Sequence, residues 1–249
     1  MSTADDPTVP AGASPDAGAA APADADLAAL LSHARALVGV ELAEIAEQLG
    51  LPVPVGTVRT KGWSGQILEQ ELCAVVGGAR GPDFAALGVE LKTVPVDRVG
   101  LADLTPREST AVCLIDPIAI AADSWDTSYV REKLRHVLFV ALEVPPHDDS
   151  VGARRVAAVC LWSPDAAEER VLRADFELFV RGYFRRGRTE EITGHLGQAM
   201  QVRPKGRNAR DLRAGYDPQG NPTRVGKCGF YLRPAFVGEI LRRAHAASR

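Results

Sequence analysis

Cysteine is scarce and scattered in this chain. Cys73, Cys113, Cys160 and Cys228 stand far apart in apolar segments, with no C-x-x-C pair and no histidine at ligand spacing. That argues against a zinc site and a disulfide framework, and for buried free thiols in a reducing compartment. No apolar run reaches bilayer-spanning length, and the N-terminus has neither a basic start nor a hydrophobic signal core. The expected location is cytoplasmic. Residues 1–27 lack any basic side chain; Asp5, Asp6, Asp16, Asp24 and Asp26 are the charges there. Large apolar residues are nearly absent from 1–24. This acidic Ala/Pro-rich stretch cannot bury enough surface to fold and is expected to be a disordered tail. The folded domain is then 25–249.

Net charge is also small, −3 over 249 residues, and by itself points to no nucleic-acid partner. Its distribution says more. From Arg203 onward eleven Arg and Lys face only Asp211, Asp217 and Glu239, a local balance of +8. A basic surface of that kind is the footprint expected of phosphate-backbone binding. The densest part is Arg203-Pro-Lys205-Gly-Arg207-Asn-Ala-Arg210. A second group, Arg181, Arg185, Arg186 and Arg188, falls at a predicted helix end, where cations favour the helix dipole and can also meet phosphate.

Apolar spacing predicts helices over 26–37, 40–49, 61–76, 165–184 and 234–247. Strands are predicted over 88–96, 110–116, 137–142, 154–162 and 229–232, with two short ones within 191–202. Segments 98–109, 119–128 and 211–227 read as loops.

The densest chemistry lies in Asp83-Phe-Ala-Ala-Leu-Gly-Val-Glu90-Leu-Lys92-Thr. On a strand, Glu90 and Lys92 share one face while Val89 and Leu91 take the other. Asp83 lies seven residues upstream across a turn and can return beside Glu90. Two carboxylates and an amine suit Mg²⁺, which takes few carboxylate oxygens and keeps several waters. The alternative is an amphipathic edge strand with a solvated Glu–Lys pair. Glu69, mid-helix, reads on its own as a solvated carboxylate, and Lys133 as one more surface lysine. Tyr231 reads as a half-buried strand residue.

Asp83…Glu90-x-Lys92 matches the D…E-x-K pattern of restriction-endonuclease-like nucleases. Together with Lys61-Gly-Trp-Ser-Gly65…Glu69 it resembles the MutH family, the strand-nicking endonucleases of methyl-directed DNA mismatch repair. The resemblance runs from about residue 27 to about 244. It implies an α/β, restriction-endonuclease-like fold: a mixed central sheet flanked by helices, with a catalytic and a DNA-reading lobe around a DNA cleft. It implies Mg²⁺-dependent hydrolysis of one DNA phosphodiester. Asp83 and Glu90 would bind the metal, with the Leu91 carbonyl as a further ligand, and Lys92 would handle the water. Glu69 and Lys133 fall on active-site positions of the family. Lys61 and Gly62 fall where it approaches the DNA backbone. Arg203, Pro204 and Lys205 match the loop that enters the groove, and Tyr231 the tyrosine tied to adenine methylation. The implied target is GATC, nicked on the unmethylated strand by a monomer that MutL activates after MutS finds a mismatch. Two other readings stay open: a type II restriction endonuclease cutting unmethylated GATC, and a non-cutting module that senses methylation.

Overall fold

The computed structural model describes residues 22–54, 62–72, 81–99, 103–208 and 210–247. The first helix, α1 (Pro22–Ala36), starts before the expected boundary, so residues 22–24 belong to it and not to a tail. Proline is tolerated at a first helical position, and Asp24 in the first turn complements the helix dipole. Then come α2 (Leu42–Gln48) and α3 (Trp63–Glu71). The predicted continuation of α3 to 76 lies outside the described residues.

A four-stranded sheet forms the centre, in the order β2 (Asp103–Pro106), β1 (Glu90–Val99), β4 (Val137–Glu143), β5 (Arg155–Trp162). It is mixed: β1 runs parallel to β4, while β2 and β5 are antiparallel to their neighbours. The continuous apolar run of β4 follows from burial on both faces. Val137, Phe139 and Ala141 join one core, and Leu138, Val140 and Leu142 the other. The second of these cores is filled by α1, α2 and α3.

The first core packs against α6 (Ala166–Gly182), α7 (Pro234–Ala247) and a second, antiparallel sheet. That sheet has the order β3 (Thr110–Leu114), β9 (Cys228–Leu232), β6 (Met200–Pro204). Its register runs from Met200↔Leu232 to Pro204↔Cys228. Helix α6 carries Leu172, Phe176, Phe179 and Val180 at helical spacing, all buried, and Asp165 caps its start.

Four expectations need correction. The 98–109 loop contains the end of β1 and the edge strand β2, where Leu104 and Pro106 turn inward. A four-residue strand offers too little alternation to be seen in sequence. The irregular 119–128 segment begins inside α4 (Pro117–Ala122), because Asp116 caps the N–H groups of Ile118 and Ala119 and Pro117 fits the first turn. Within 191–202 the described strand is β6, which starts at Met200, preceded by a short 3-10 turn. The 211–227 loop is a hairpin of β7 (Leu212–Tyr216) and β8 (Pro222–Gly226), closed by Asp217, which accepts from Gln219 and Asn221 N–H. Among the described residues no helix is long and apolar enough to cross a membrane. Cys113, Cys160 and Cys228 are free thiols, and burial pushes Cys113 and Cys228 up to about 11.

Candidate active site and nucleic-acid cleft

Glu90 opens β1, which pairs with β4 along residues 90–96 and meets β2 only from Val96 onward; the solvated-pair alternative fails on burial. Its side chain is enclosed, with Glu90 only 2% exposed. A buried carboxylate needs compensating charge. Two lysines supply it: Lys92 Nζ lies 2.5 Å from Oε1 and Lys133 Nζ 2.7 Å from Oε2. Asp83 returns across the tight turn 84–88, in which Phe84 and Val89 bridge. Its Oδ2 accepts the Leu91 N–H at 2.8 Å, which pins it beside the strand.

Lys133, on α5 (Tyr129–Leu134), is 8% exposed and is not a surface lysine. Its ammonium also donates to the Gly81 carbonyl at 2.7 Å and lies over the Tyr129 ring. Burial alone would lower this ammonium. Hydrogen bonding and attraction to Glu90, with Tyr129 adding, carry it above the ordinary lysine value instead.

Glu69, half-buried on α3, feels the same cluster. Burial first, then Asp83 and Glu90, raise its carboxyl, against the pull of Lys92 and Lys133. The sign of the stability effect follows. A carboxyl raised in the folded state favours the fold while protonated and loses that advantage as pH rises through its folded value. Ionised Glu69 therefore opposes folding at neutral pH. Glu69→Gln should raise the melting temperature at pH 7 in EDTA, with the gain vanishing as pH falls below the ordinary value of 4.5. A gain that persists at pH 3 would assign it to packing instead.

A cleft of about 690 Å³ joins this cluster to the second sheet. Gly62, Glu69, Leu91 and Lys92 line one wall; Arg203, Pro204, Lys205 and Tyr231 line the other. Gly62 caps α3 at φ +87°, a conformation that favours glycine, and space is open where a side chain would begin. Lys61 lies outside the described residues. Lys205 Nζ sits 5.5 Å from the Tyr231 ring centroid. Burial raises the Tyr231 phenol, while Arg203 draws it down and Glu108 pushes it up.

The sequence reading missed Glu108 and Ser109, which line the same cleft. Ser109 Oγ is 2.6 Å from Gln201 Nε2 and 3.3 Å from Arg203 Nη1, so it fixes the arginine at the mouth of the cleft. Nothing local marks these residues; only the pairing of β3 with β9 brings them there. Three of the four arginines in the second group make contacts within the protein. Arg185 donates to the carbonyls of Ala121 and Asp123, Arg181 pairs with Glu177, and Arg188 pairs with Glu191.

Among the described residues no three His, Cys, Asp or Glu side chains gather as an all-protein metal cage. The pair Asp83 and Glu90 offers oxygen donors alone, which suits a hard cation that takes one or two carboxylates and fills the remaining positions with water and substrate phosphate.

Comparison with known proteins agrees with the arrangement of motifs. A family model described as DNA mismatch repair enzyme MutH matches residues 72–175. The chain is 40% identical over 215 residues to the DNA mismatch repair protein MutH of Haemophilus ducreyi, covering 86% of this chain and 92% of that protein. It is 39% identical over 219 residues to the protein of that name from a Shewanella species, covering 88% and 96%. With the Klebsiella pneumoniae protein the identity is 40% over 214 residues, covering 86% and 90%.

Proposed function

The chain belongs to the MutH family of DNA mismatch repair enzymes, and from that premise we propose that it is a Mg²⁺-dependent endonuclease of methyl-directed mismatch repair. It nicks the unmethylated strand at hemimethylated GATC. In this reading the fold is restriction-endonuclease-like, with a catalytic and a DNA-reading lobe, and the protein acts as a cytoplasmic monomer that MutL switches on after MutS finds a mismatch.

One observation carries the reading: a single cleft is lined by Glu69, Leu91 and Lys92 from α3 and β1 and by Arg203, Lys205 and Tyr231 from the region of the second sheet. Hydrolytic and DNA-reading groups far apart in sequence thus share one surface. Asp83, Glu90 and the Leu91 carbonyl would hold the cation. When bound, it supplies Lewis-acid polarisation of a phosphate and a more acidic water. Lys92 orients the attacking water; as a neutral amine it accepts the water's proton, and as the resulting ammonium it offsets charge developing on the phosphate. Lys133 fixes Glu90 and neutralises part of its charge. Glu69, with its raised carboxyl, takes part in proton traffic at the cleft edge. Arg203 suits guanine, whose major-groove edge offers two acceptors to a guanidinium fork. The Tyr231 ring set against an adenine N6 edge leaves little room for an added methyl.

The test uses three plasmids, with GATC unmethylated, hemimethylated or fully methylated, incubated with Mg²⁺ and with or without MutL. Nicking confined to unmethylated strands and stimulated by MutL is the expected result. Double-strand cutting without MutL would make the protein a restriction enzyme. No cutting at all would leave a methylation-sensing binder. Arg203→Ala should cost about 1–3 kcal/mol of specific binding and relax preference at one base pair. Gel shifts on GATC and GATC-free duplexes check this; equal losses on both would reduce Arg203 to a phosphate contact.

A further inference from the structure

Asp175 lies on α6, 4% exposed, and is a buried carboxylate that the catalytic reading does not use. It accepts the backbone N–H of Gln198 on both oxygens, at 2.8 and 3.0 Å. Its Oδ2 also accepts the N–H groups of Ala199 and Met200, each at 2.7 Å. Arg233 grips the same turn through its carbonyls. Its guanidinium donates to Gly194 at 2.8 Å, Leu196 at 2.7 Å and Gly197 at 3.0 Å, and its own N–H donates to the Ala199 carbonyl at 2.8 Å. Gly197 sits at φ +82°, and a Cβ there would meet the Met200 carbonyl oxygen at 2.0 Å and Asp175 Cγ at 3.3 Å. The turn is therefore built around the carboxylate: an anion takes its N–H groups and a cation its C=O groups.

The position of this clamp gives it consequence. Met200 opens β6, and Arg233 directly follows β9. These paired strands carry Arg203 and Tyr231 into the cleft. Gln201 and Arg203 share a face, since both reach Ser109 Oγ. Slipping β6 by one residue would replace that face with Met200, Val202 and Pro204. Arg203 is three residues from Met200, about 10 Å along the strand, so its placement follows the clamp closely.

We propose that Asp175 and Arg233 are positioning residues for DNA reading: they lock the register and depth of β6 and β9, and thereby set the preference for the target sequence and for the unmethylated strand. The assignment rests on the nuclease reading above. It predicts a loss of discrimination without loss of general DNA affinity. Asp175→Asn keeps the shape but turns an amide donor toward N–H donors. Arg233→Lys keeps the charge but loses the planar fork that spans three carbonyls.

The experiment has four readouts on the full chain: hydrogen exchange at the amides of Gln198, Ala199 and Met200, single-turnover nicking of GATC against GATC-free plasmid, affinity for GATC-free duplex, and melting temperature. For D175N we expect faster exchange at those amides and a roughly tenfold fall in the GATC preference, the scale of one lost base contact. Affinity for GATC-free duplex should stay within about twofold, because phosphate contacts carry it. If D175N does not fold, R233K carries the same measurements. Faster exchange with an unchanged preference overturns the proposal. So does an equal loss on both plasmids with a lower melting temperature, which would make the clamp a matter of fold stability alone. A wild-type protein with no GATC preference would remove the sequence-specific part of the nuclease reading beneath the assignment, while the exchange data would still report separately whether the clamp holds the turn.

Discussion

Lys92→Ala should lose about a thousandfold or more in nicking rate while binding DNA nearly as tightly as the parent protein, the scale of losing a proton-handling group at the reacting centre. Lys92 on β1 both touches Glu90 and lines the cleft. Its side chain is 18% exposed against 10% for Lys133, and it lines the cleft, so it can meet a water as well as the carboxylate. Asp83→Asn and Glu90→Gln should fall as far, since each removes one of the two anionic oxygen donors. Affinity moves differently. Lys92→Ala removes one charge near the phosphates and should lower the salt slope by about one unit. Glu90→Gln removes a negative charge from the cleft and should leave metal-free binding equal or slightly tighter. Single-turnover nicking in Mg²⁺, paired with gel shifts in EDTA at several salt concentrations, separates the two effects. Activity within tenfold of the parent in all three variants would place the chemistry elsewhere.

The parts legible in sequence were those whose cause is local. The Glu90-x-Lys92 alternation states which side chains share a strand face, and the turn before it returns Asp83 to the strand. The aromatic stripe of α6 and the apolar run of β4 announce burial by period and length alone. What stayed hidden depends on partners distant in the chain. Lys133 looks like any lysine at a helix end until α5 packs against β3 and β4 follows β1 in the sheet. Ser109 gains a role only when β3 pairs with β9 and β9 with β6. The β7–β8 hairpin exposes most of both its faces, so it lacks the apolar alternation by which a strand is read, although its Asp217 turn was plain. Asp175 is the same case on a helix: a lone acid among aromatics says nothing of the turn it holds.

Lys133→Met should destabilise the fold by about 3 kcal/mol at pH 7 and slow nicking by a factor of a hundred or more, because it leaves a buried carboxylate short of charge. Glu90 would retain Lys92 alone, and that ammonium would be held in the ion pair instead of serving water. The Gly81 carbonyl would lose its donor as well, so the segment leading into Asp83 would be tied less firmly to β1. The pH dependence has a defined sign. Lys133 is raised in the folded state above the ordinary 10.5, so its contribution is complete below that value and lost as pH climbs through the folded one. The stability gap between parent and variant should therefore be flat from pH 7 to about 9 and close in more alkaline solution. Urea melts across that range in EDTA measure it. Repeating them with Mg²⁺ adds a second constraint: a cation at Asp83 and Glu90 supplies the positive charge that the variant lacks, so the gap should narrow. A gap that Mg²⁺ leaves unchanged would mean that Lys133 acts through packing against Tyr129 and the Gly81 carbonyl, and that Glu90 is not where the cation binds.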